Sequence, residues 1–255
     1  MTEAVEFRQE AGILEIRLNR PDKKNAITVA MYAAMAERLA AAEADPAVRV
    51  VLFTGAGDAF CAGNDLKDFI ASPPTSQDSP VFRFLRALAG ASKVLIAAIQ
   101  GPAVGIGTTM LLHCDLVVAS RNARLSVPFV NLGLVPEAAS SLLLPRLIGH
   151  QRAAELFLLG EPIDAATAHA YGLVNRVVED GEVAAAARAL AAQIATKAPG
   201  AVRLVKKLMK SATATVAERM VEEAHDFGTQ LASAELREAV SAFFEKRAPD
   251  FSKIV

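Results

Sequence analysis

The chain predicts an α/β fold built on curved sheets, and three observations carry the prediction. Apolar runs of strand length, Ile13–Leu18, residues 48–54 and Val94–Ile99, recur with helix-length spacers between them. The first spacer presents Met31, Met35 and Leu39 at four-residue spacing, the signature of a helix with one buried face. From Ala138 onward the pattern is mostly helical. Strand, strand and helix repeat with variations, which implies helices packed on sheets.

In order, residues 5–9 predict a weak strand and Ile13–Leu18 a strong, mostly alternating one. Residues 19–25 form a polar turn. Thr28 is placed to cap a helix that stops near Asp45 and Pro46. The strand at 48–54 ends in the turn Gly55-Ala56-Gly57-Asp58. Asp65 opens a short helix through Ile70, residues 72–79 read as a mobile Pro- and Ser-rich surface loop, and a helix follows over 81–90. Val94–Ile99 leads to a buried helix over 105–113, then to short strands at 116–119 and 125–127. Pro145, Gly149, Gly160 and Pro162 punctuate the helical part, and 173–178 predicts a last strand. Helices are expected over 182–196 and 199–211, with one long helix over 215–246.

The composition narrows the function. A hydrophobic content of 53% is ample for a core, and 27 basic against 28 acidic residues argues against a broad nucleic-acid surface. A local basic patch for a phosphorylated small molecule remains open. Two cysteines, Cys61 and Cys114, suggest no disulfide framework, so a reducing, cytoplasmic setting is expected. Residues 1–10 carry acids and no apolar stretch of signal-peptide type. Residues 94–112 are uncharged for nineteen positions, yet Gln100, Gly101, Pro102, Gly105 and Gly107 interrupt them. A buried strand, turn and helix explain that run better than a membrane span.

Two turns draw attention. Phe60-Cys61-Ala62-Gly63-Asn64-Asp65-Leu66 and Gln100-Gly101-Pro102-Ala103-Val104-Gly105-Ile106-Gly107 each place small residues between a strand and a helix. Small residues let a ligand approach the main chain, and a helix start points free N–H groups outward. Two such turns facing one another could hold an oxygen that carries negative charge. A third segment, Leu132-Gly133-Leu134-Val135-Pro136-Glu137, offers a carboxylate among apolar residues, as a proton-transfer base needs. Taken alone, Glu137 reads as an ordinary first-turn acid, lowered in pKa by a helix N-terminus and raised by apolar walls.

Other motifs carry less. The glycine pairs at 55–57 and 105–107 lack the third glycine of a dinucleotide fingerprint, and no phosphate-loop lysine is present. His113, Cys114 and Asp115 are consecutive and cannot readily converge on one metal, so core roles are expected. Cys61 has no histidine at a recognisable spacing and reads as small-residue packing. Asp65 reads as a helix cap, and Lys23 and Lys24 as surface lysines free to meet phosphates.

The chain resembles the enoyl-CoA hydratase/isomerase, or crotonase, superfamily. The resemblance runs through Leu18-Asn19-Arg20-Pro21, the two turns, Cys114-Asp115-Leu116, residues 142–149, Ala170-Tyr171-Gly172-Leu173-Val174 and Ser241-Ala242-Phe243-Phe244-Glu245-Lys246-Arg247. It implies a spiral of strand-strand-helix units over 1–195 and a helical trimerisation region over 196–255. It also implies a homotrimer or dimer of trimers, acyl-CoA thioester substrates, no metal, and no cofactor apart from the coenzyme A of the substrate. By position, the oxyanion donors would be the N–H groups of Asn64 and Ile106. Ala62, Gly63, Asp65, Leu66 and Gly105 would line the thioester's path. Lys23 and Lys24 would meet phosphates, with Lys246 reaching in from a neighbouring subunit.

The departures from that family are informative. Its hydratases add water with two glutamates, and here those positions hold Thr109 and Phe129. Thr109 could hold a water or a carbonyl, and Phe129 would make the wall apolar and dry. Glu137 stands where the Δ3,Δ2-enoyl-CoA isomerase branch places its single carboxylate. The resemblance therefore implies an isomerase. The rival expectations are a hydratase using Glu137 and a held water, and a non-catalytic acyl-CoA-binding protein.

Overall fold

The computed structural model describes residues 3–74, 76–211 and 215–254. Strand β1 (Val5–Glu10) turns back on β2 (Ile13–Leu18), and helix α1 (Val29–Ala44) carries the chain to β3 (Val50–Gly55). The Thr28 side chain caps α1 by accepting from Met31 N, and Met31, Met35 and Leu39 are buried. Helices α2 (Leu66–Ala71) and α3 (Pro80–Gly90) lead to β4 (Val94–Ile99). Within the expected surface loop at 72–79, position 75 lies outside the described residues.

The next stretch departs from expectation. Pro102–Val104 forms a short strand, β5, where the sequence suggests only a turn. The expected helix over 105–113 is one α-turn, α4 (Ile106–Thr109), continued by a 3₁₀ turn over Met110–His113. Strands β6 (Leu116–Ser120) and β7 (Arg124–Ser126) follow, then α5 (Ser140–Ile148), α6 (His150–Leu159), a two-residue strand β8 (Ile163–Asp164) and α7 (Ala165–Ala170). The last strand, β9, covers Arg176–Val178 only, the second half of its expected range. Helices α8 (Val183–Ala195), α9 (Pro199–Lys210), α10 (Val216–Leu231) and α11 (Ala234–Phe244) complete the chain. The long helix expected over 215–246 is thus broken: Ser233 is extended and its side chain accepts from Leu236 N, so it starts a new helix. A serine N-cap outweighs continuous helical spacing at that point.

Two sheets result. The larger runs β1-β2-β3-β4-β6-β9, antiparallel at β1–β2 and parallel thereafter, and the smaller runs β5-β7-β8. The units β4-β5-α4 and β6-β7-α5 each give their first strand to the large sheet and their second to the small one. Isolated bridges Ile27–Asn64 and Cys61–Ala103 extend the second layer to the earlier units. Parallel strands need covered faces, and both faces here are covered. Val51, Phe53, Leu95, Ala97 and Ile99 join the cluster that contains α1 and α3, while Val50, Leu52, Ile96, Ala98 and Val118 pack with Val183, Ala187, Leu190 and Ala191 of α8. The second layer ends at the two turns, so the fold delivers both to one place.

The C-terminal helices are less well covered. Met209, Met220, Phe227, Phe243 and Phe244 are exposed, and a cleft of about 620 Å³ opens between α9 and α10. No described helix is long and apolar enough to cross a membrane.

Candidate active site

The two turns meet through main-chain bonds. Cys61 N donates to Pro102 O (3.0 Å) and Val104 N donates to Cys61 O (2.8 Å), joining the turn at 61–65 to β5. Gly105 has φ 56° and ψ −116°, a conformation closed to residues with a side chain, and it lets the chain reverse into α4. Gly107 faces Cys61 so closely that a Cβ would lie 2.7 Å from Cys61 O and 2.9 Å from its Cβ.

Around these turns most amides are committed. Gly63 N donates to Cys61 Sγ, Asp65 N to Ile27 O, Gly105 N to Ser126 O, and Thr108 N and Thr109 N to Gly105 O. Asn64 N and Ile106 N take no acceptor among the described residues, and neither do Leu66 N and Gly107 N at the helix starts beside them. Ile106 is the first residue of α4, where a helix leaves its N–H groups unsatisfied. Two free amides on adjoining turns can hold an oxyanion.

Glu137 is tied to the same helix. Thr109 Oγ1 donates a short hydrogen bond to Glu137 Oε1, and Thr109 is fully buried one helical turn beyond Ile106. Burial pushes the Glu137 carboxyl up to about 7, against the opposing pull of the Thr109 hydroxyl. Contrary to expectation, Glu137 does not lie in the first turn of a helix, because α5 starts only at Ser140. Glu137 precedes it in a tight bend where Ala138 and Ala139 both hold positive φ (53° and 55°). The bend is pinned by Ser140 N and Oγ donating to Glu137 O (2.9 and 2.6 Å), and by the His113 ring nitrogen Nε2 at 2.9 Å from Ala138 O. Left-handed backbone at alanine is costly, so these bonds define the carboxylate's position.

The remaining predicted residues fall around this centre. Phe129 is buried, with its ring centroid 6.5 Å from that of Phe157, and its carbonyl accepts from Leu134 N on the way to Glu137. Lys24 is exposed, and its carbonyl receives Ala62 N (2.9 Å), which brings it beside the first turn; Lys23 is exposed in the preceding 3₁₀ turn. Asp65 accepts from Asp68 N at the start of α2 and pairs with Arg20 (3.1 Å), which makes it a cap and an anchor. Leu66 is exposed on α2. Lys246 is exposed just beyond the end of α11, where its N donates to Phe243 O.

His113, Cys114 and Asp115 diverge. His113 turns to Ala138, Cys114 Sγ to Met110 O, and Asp115 to Leu95 N and Lys206 Nζ. Burial raises both cysteine thiols to about 12, and Cys61 packs under the first turn as a neutral thiol. Two roles are not visible in the sequence: Thr109 donates to the Glu137 carboxylate, and His113 supports the strained bend. Only chain position could have flagged Thr109, and no spacing signal points to His113.

A model of the enoyl-CoA hydratase/isomerase family matches residues 8–253. The chain is 38% identical over 261 residues to 1,2-epoxyphenylacetyl-CoA isomerase of Escherichia coli K12, covering 99% of each. It is 34% identical over 254 residues to 2,3-dehydroadipyl-CoA hydratase of the same organism, covering 98% of this chain and 99% of that one. Among solved structures, the enoyl-CoA hydratase/isomerase of Pseudoalteromonas atlantica T6c superimposes with a TM-score of 0.80 at 45% identity, covering 98% of this chain and all of that one.

Proposed function

The chain belongs to the enoyl-CoA hydratase/isomerase family, and from that premise we propose that it moves the double bond of a 3-enoyl-CoA to the 2 position. The observation that carries the reading is Glu137, a single partly buried carboxyl with a pKa near 7, tied to the helix that begins at Ile106. A base with that pKa is half ionised near neutral pH and can both take and return a proton.

In this reading the thioester oxygen sits between Asn64 N and Ile106 N. Glu137 removes a proton from C2, and the negative charge moves onto the oxygen of the dienolate. Protonated Glu137 then delivers the proton to C4, which leaves the double bond between C2 and C3. No water enters, and buried Phe129 at a hydratase glutamate position supports that. Thr109 holds the carboxylate between the two carbons. Lys23 and Lys24 meet the phosphates of coenzyme A, and the path runs over Ala62, Gly63, Asp65, Leu66 and Gly105. The exposed apolar residues of α9–α11 support a role for residues 196–255 in self-association as a trimer or a pair of trimers, with Lys246 reaching a neighbour's site. Sedimentation at a mass three or six times 26.9 kDa is the expected outcome.

The relatives' names include both an isomerase and a hydratase, so hydration is the second reading, with Glu137 activating a held water. The test is a product assay. Purified protein is given a 3-enoyl-CoA and, separately, a 2-enoyl-CoA, and products are resolved by retention and mass. Conversion of the first to a 2-enoyl-CoA with little water addition to the second is expected. Efficient formation of a 3-hydroxyacyl-CoA from the second overturns the isomerase in favour of the hydratase. Binding without turnover, unaltered in Glu137→Gln, indicates a binding protein.

A further inference from the structure

Tyr32 lies on α1, outside every segment that the sequence singles out for chemistry, yet its hydroxyl reaches the first turn. Its Oη donates to Asn64 Oδ1 at 2.6 Å, and the residue is 1% exposed. Its ring packs at 60° to Phe84, with centroids 5.5 Å apart, in a setting where phenylalanine would pack equally well. A buried hydroxyl is costly unless it is hydrogen-bonded. The bond to Asn64 is the one that satisfies it.

We infer that Tyr32 is a positioning residue that sets the direction of the Asn64 N–H. The inference rests on the reading of Asn64 and Ile106 as oxyanion donors. The mechanism follows from the planar trans peptide. Ile27 N donates to Gly63 O at 2.8 Å, so the Asn64 N–H, on the opposite side of that peptide, points away from Ile27. Asp65 N donates to Ile27 O at 2.9 Å and fixes the following peptide. These two bonds leave Asn64 held as on a hinge, free to rock about the line that joins them. The Tyr32 bond to the Asn64 side chain stops that rocking. Ile27 and Tyr32 flank the Thr28 cap, so both restraints come from one rigid body, the start of α1.

Burial, and the nearby Glu137 carboxylate when it is ionised, hold the Tyr32 pKa well above the ordinary phenol value, so its hydroxyl stays protonated as a donor to Asn64. Its effect is therefore on geometry, and a small error there is expensive: misplacing an oxyanion donor reduces turnover by about 10- to 100-fold.

The experiment uses Tyr32→Phe, Asn64→Ala and the double variant in the full chain. Steady-state constants are measured on whichever enoyl-CoA the unaltered protein converts. The Asn64 amide resonance is followed by NMR without ligand, and thermal melts are recorded. In Tyr32→Phe, kcat is expected to fall about 10- to 100-fold with KM changed less than about threefold, as for loss of a contact made in the transition state. The Asn64 amide shifts. Because the two residues act through one bond, the double variant is no slower than the slower single variant. A lowered melting temperature with unchanged kcat means that Tyr32 only packs, and overturns the inference, as do losses that multiply in the double variant. If the protein converts no enoyl-CoA, the proposed function fails separately, and the amide decides: an unmoved Asn64 resonance in Tyr32→Phe overturns the positioning role.

Discussion

Thr109 and Glu137, 28 positions apart, share a short hydrogen bond in which the hydroxyl donates and the carboxylate accepts. The pair joins the helix that starts at a free amide to the chain's best-placed base. It also sets two opposed forces on one group, since burial raises the Glu137 pKa and the hydroxyl lowers it.

The base itself is the first prediction. With the carboxyl near 7, kcat/KM for the unaltered protein rises with pH and levels off above that value. Glu137→Gln removes the acid limb and lowers kcat at least about 100-fold, the lower end of what a positioned base contributes. Initial rates across pH 5 to 9 check both statements.

Thr109→Val tests the hydroxyl. The swap keeps the shape and removes the donor that favours the charged carboxylate. The acid limb therefore moves to higher pH, while at pH 9 turnover recovers much of its value. A limb that stays in place means that the hydroxyl does not stabilise the carboxylate.

Stability should report the same group with a definite sign. Between the ordinary glutamate value of 4.5 and about 7, the folded protein keeps a proton that the unfolded chain has released. This contribution is fully present below 4.5 and is lost as pH rises through 7. Above 7 the partly buried, ionised carboxylate costs about 1–3 kcal/mol, and Glu137→Gln removes that cost. Urea melts at pH 5 and pH 8 are expected to show the variant gaining on the unaltered protein only at the higher pH.

Gly107→Ala probes the contact between the turns. The added methyl would meet main-chain Cys61 O at 2.7 Å, so the two free amides must move apart. Turnover is expected to fall about 10-fold or more, with a stability cost of about 1–3 kcal/mol from overpacking. Kinetics and melts together separate a displaced site from a misfolded chain.

Asn25 governs the entry to the first turn. It is fully buried with φ 58°, its amide donates to Ala56 O and Ala59 O, and its Oδ1 accepts from Arg20 N. Asn25→Ala strands three main-chain groups and leaves a left-handed alanine, a loss of about 3–5 kcal/mol. Urea denaturation measures it; a loss below about 1 kcal/mol would mean that water replaces the amide.

Much of this protein was determined by its sequence alone. Ile13–Leu18 and Val94–Ile99 read as strands because alternation and unbroken apolar runs report burial directly, and Thr28 marked its helix because a cap is a local device. The two glycine turns and Glu137 were legible as small residues and an acid in apolar company. Tertiary structure alone decided the rest. Local spacing predicted one helix over 215–246, and Ser233 divided it. Burial outweighed the opposing influence on Glu137, a balance that depends on what surrounds it in space. Thr109 found its carboxylate and Tyr32 found Asn64, 32 positions away. Periodicity and capping act over a few residues and leave their mark in the order of the chain. Hydrogen bonds between distant side chains exist only after the parallel crossovers have brought those side chains together.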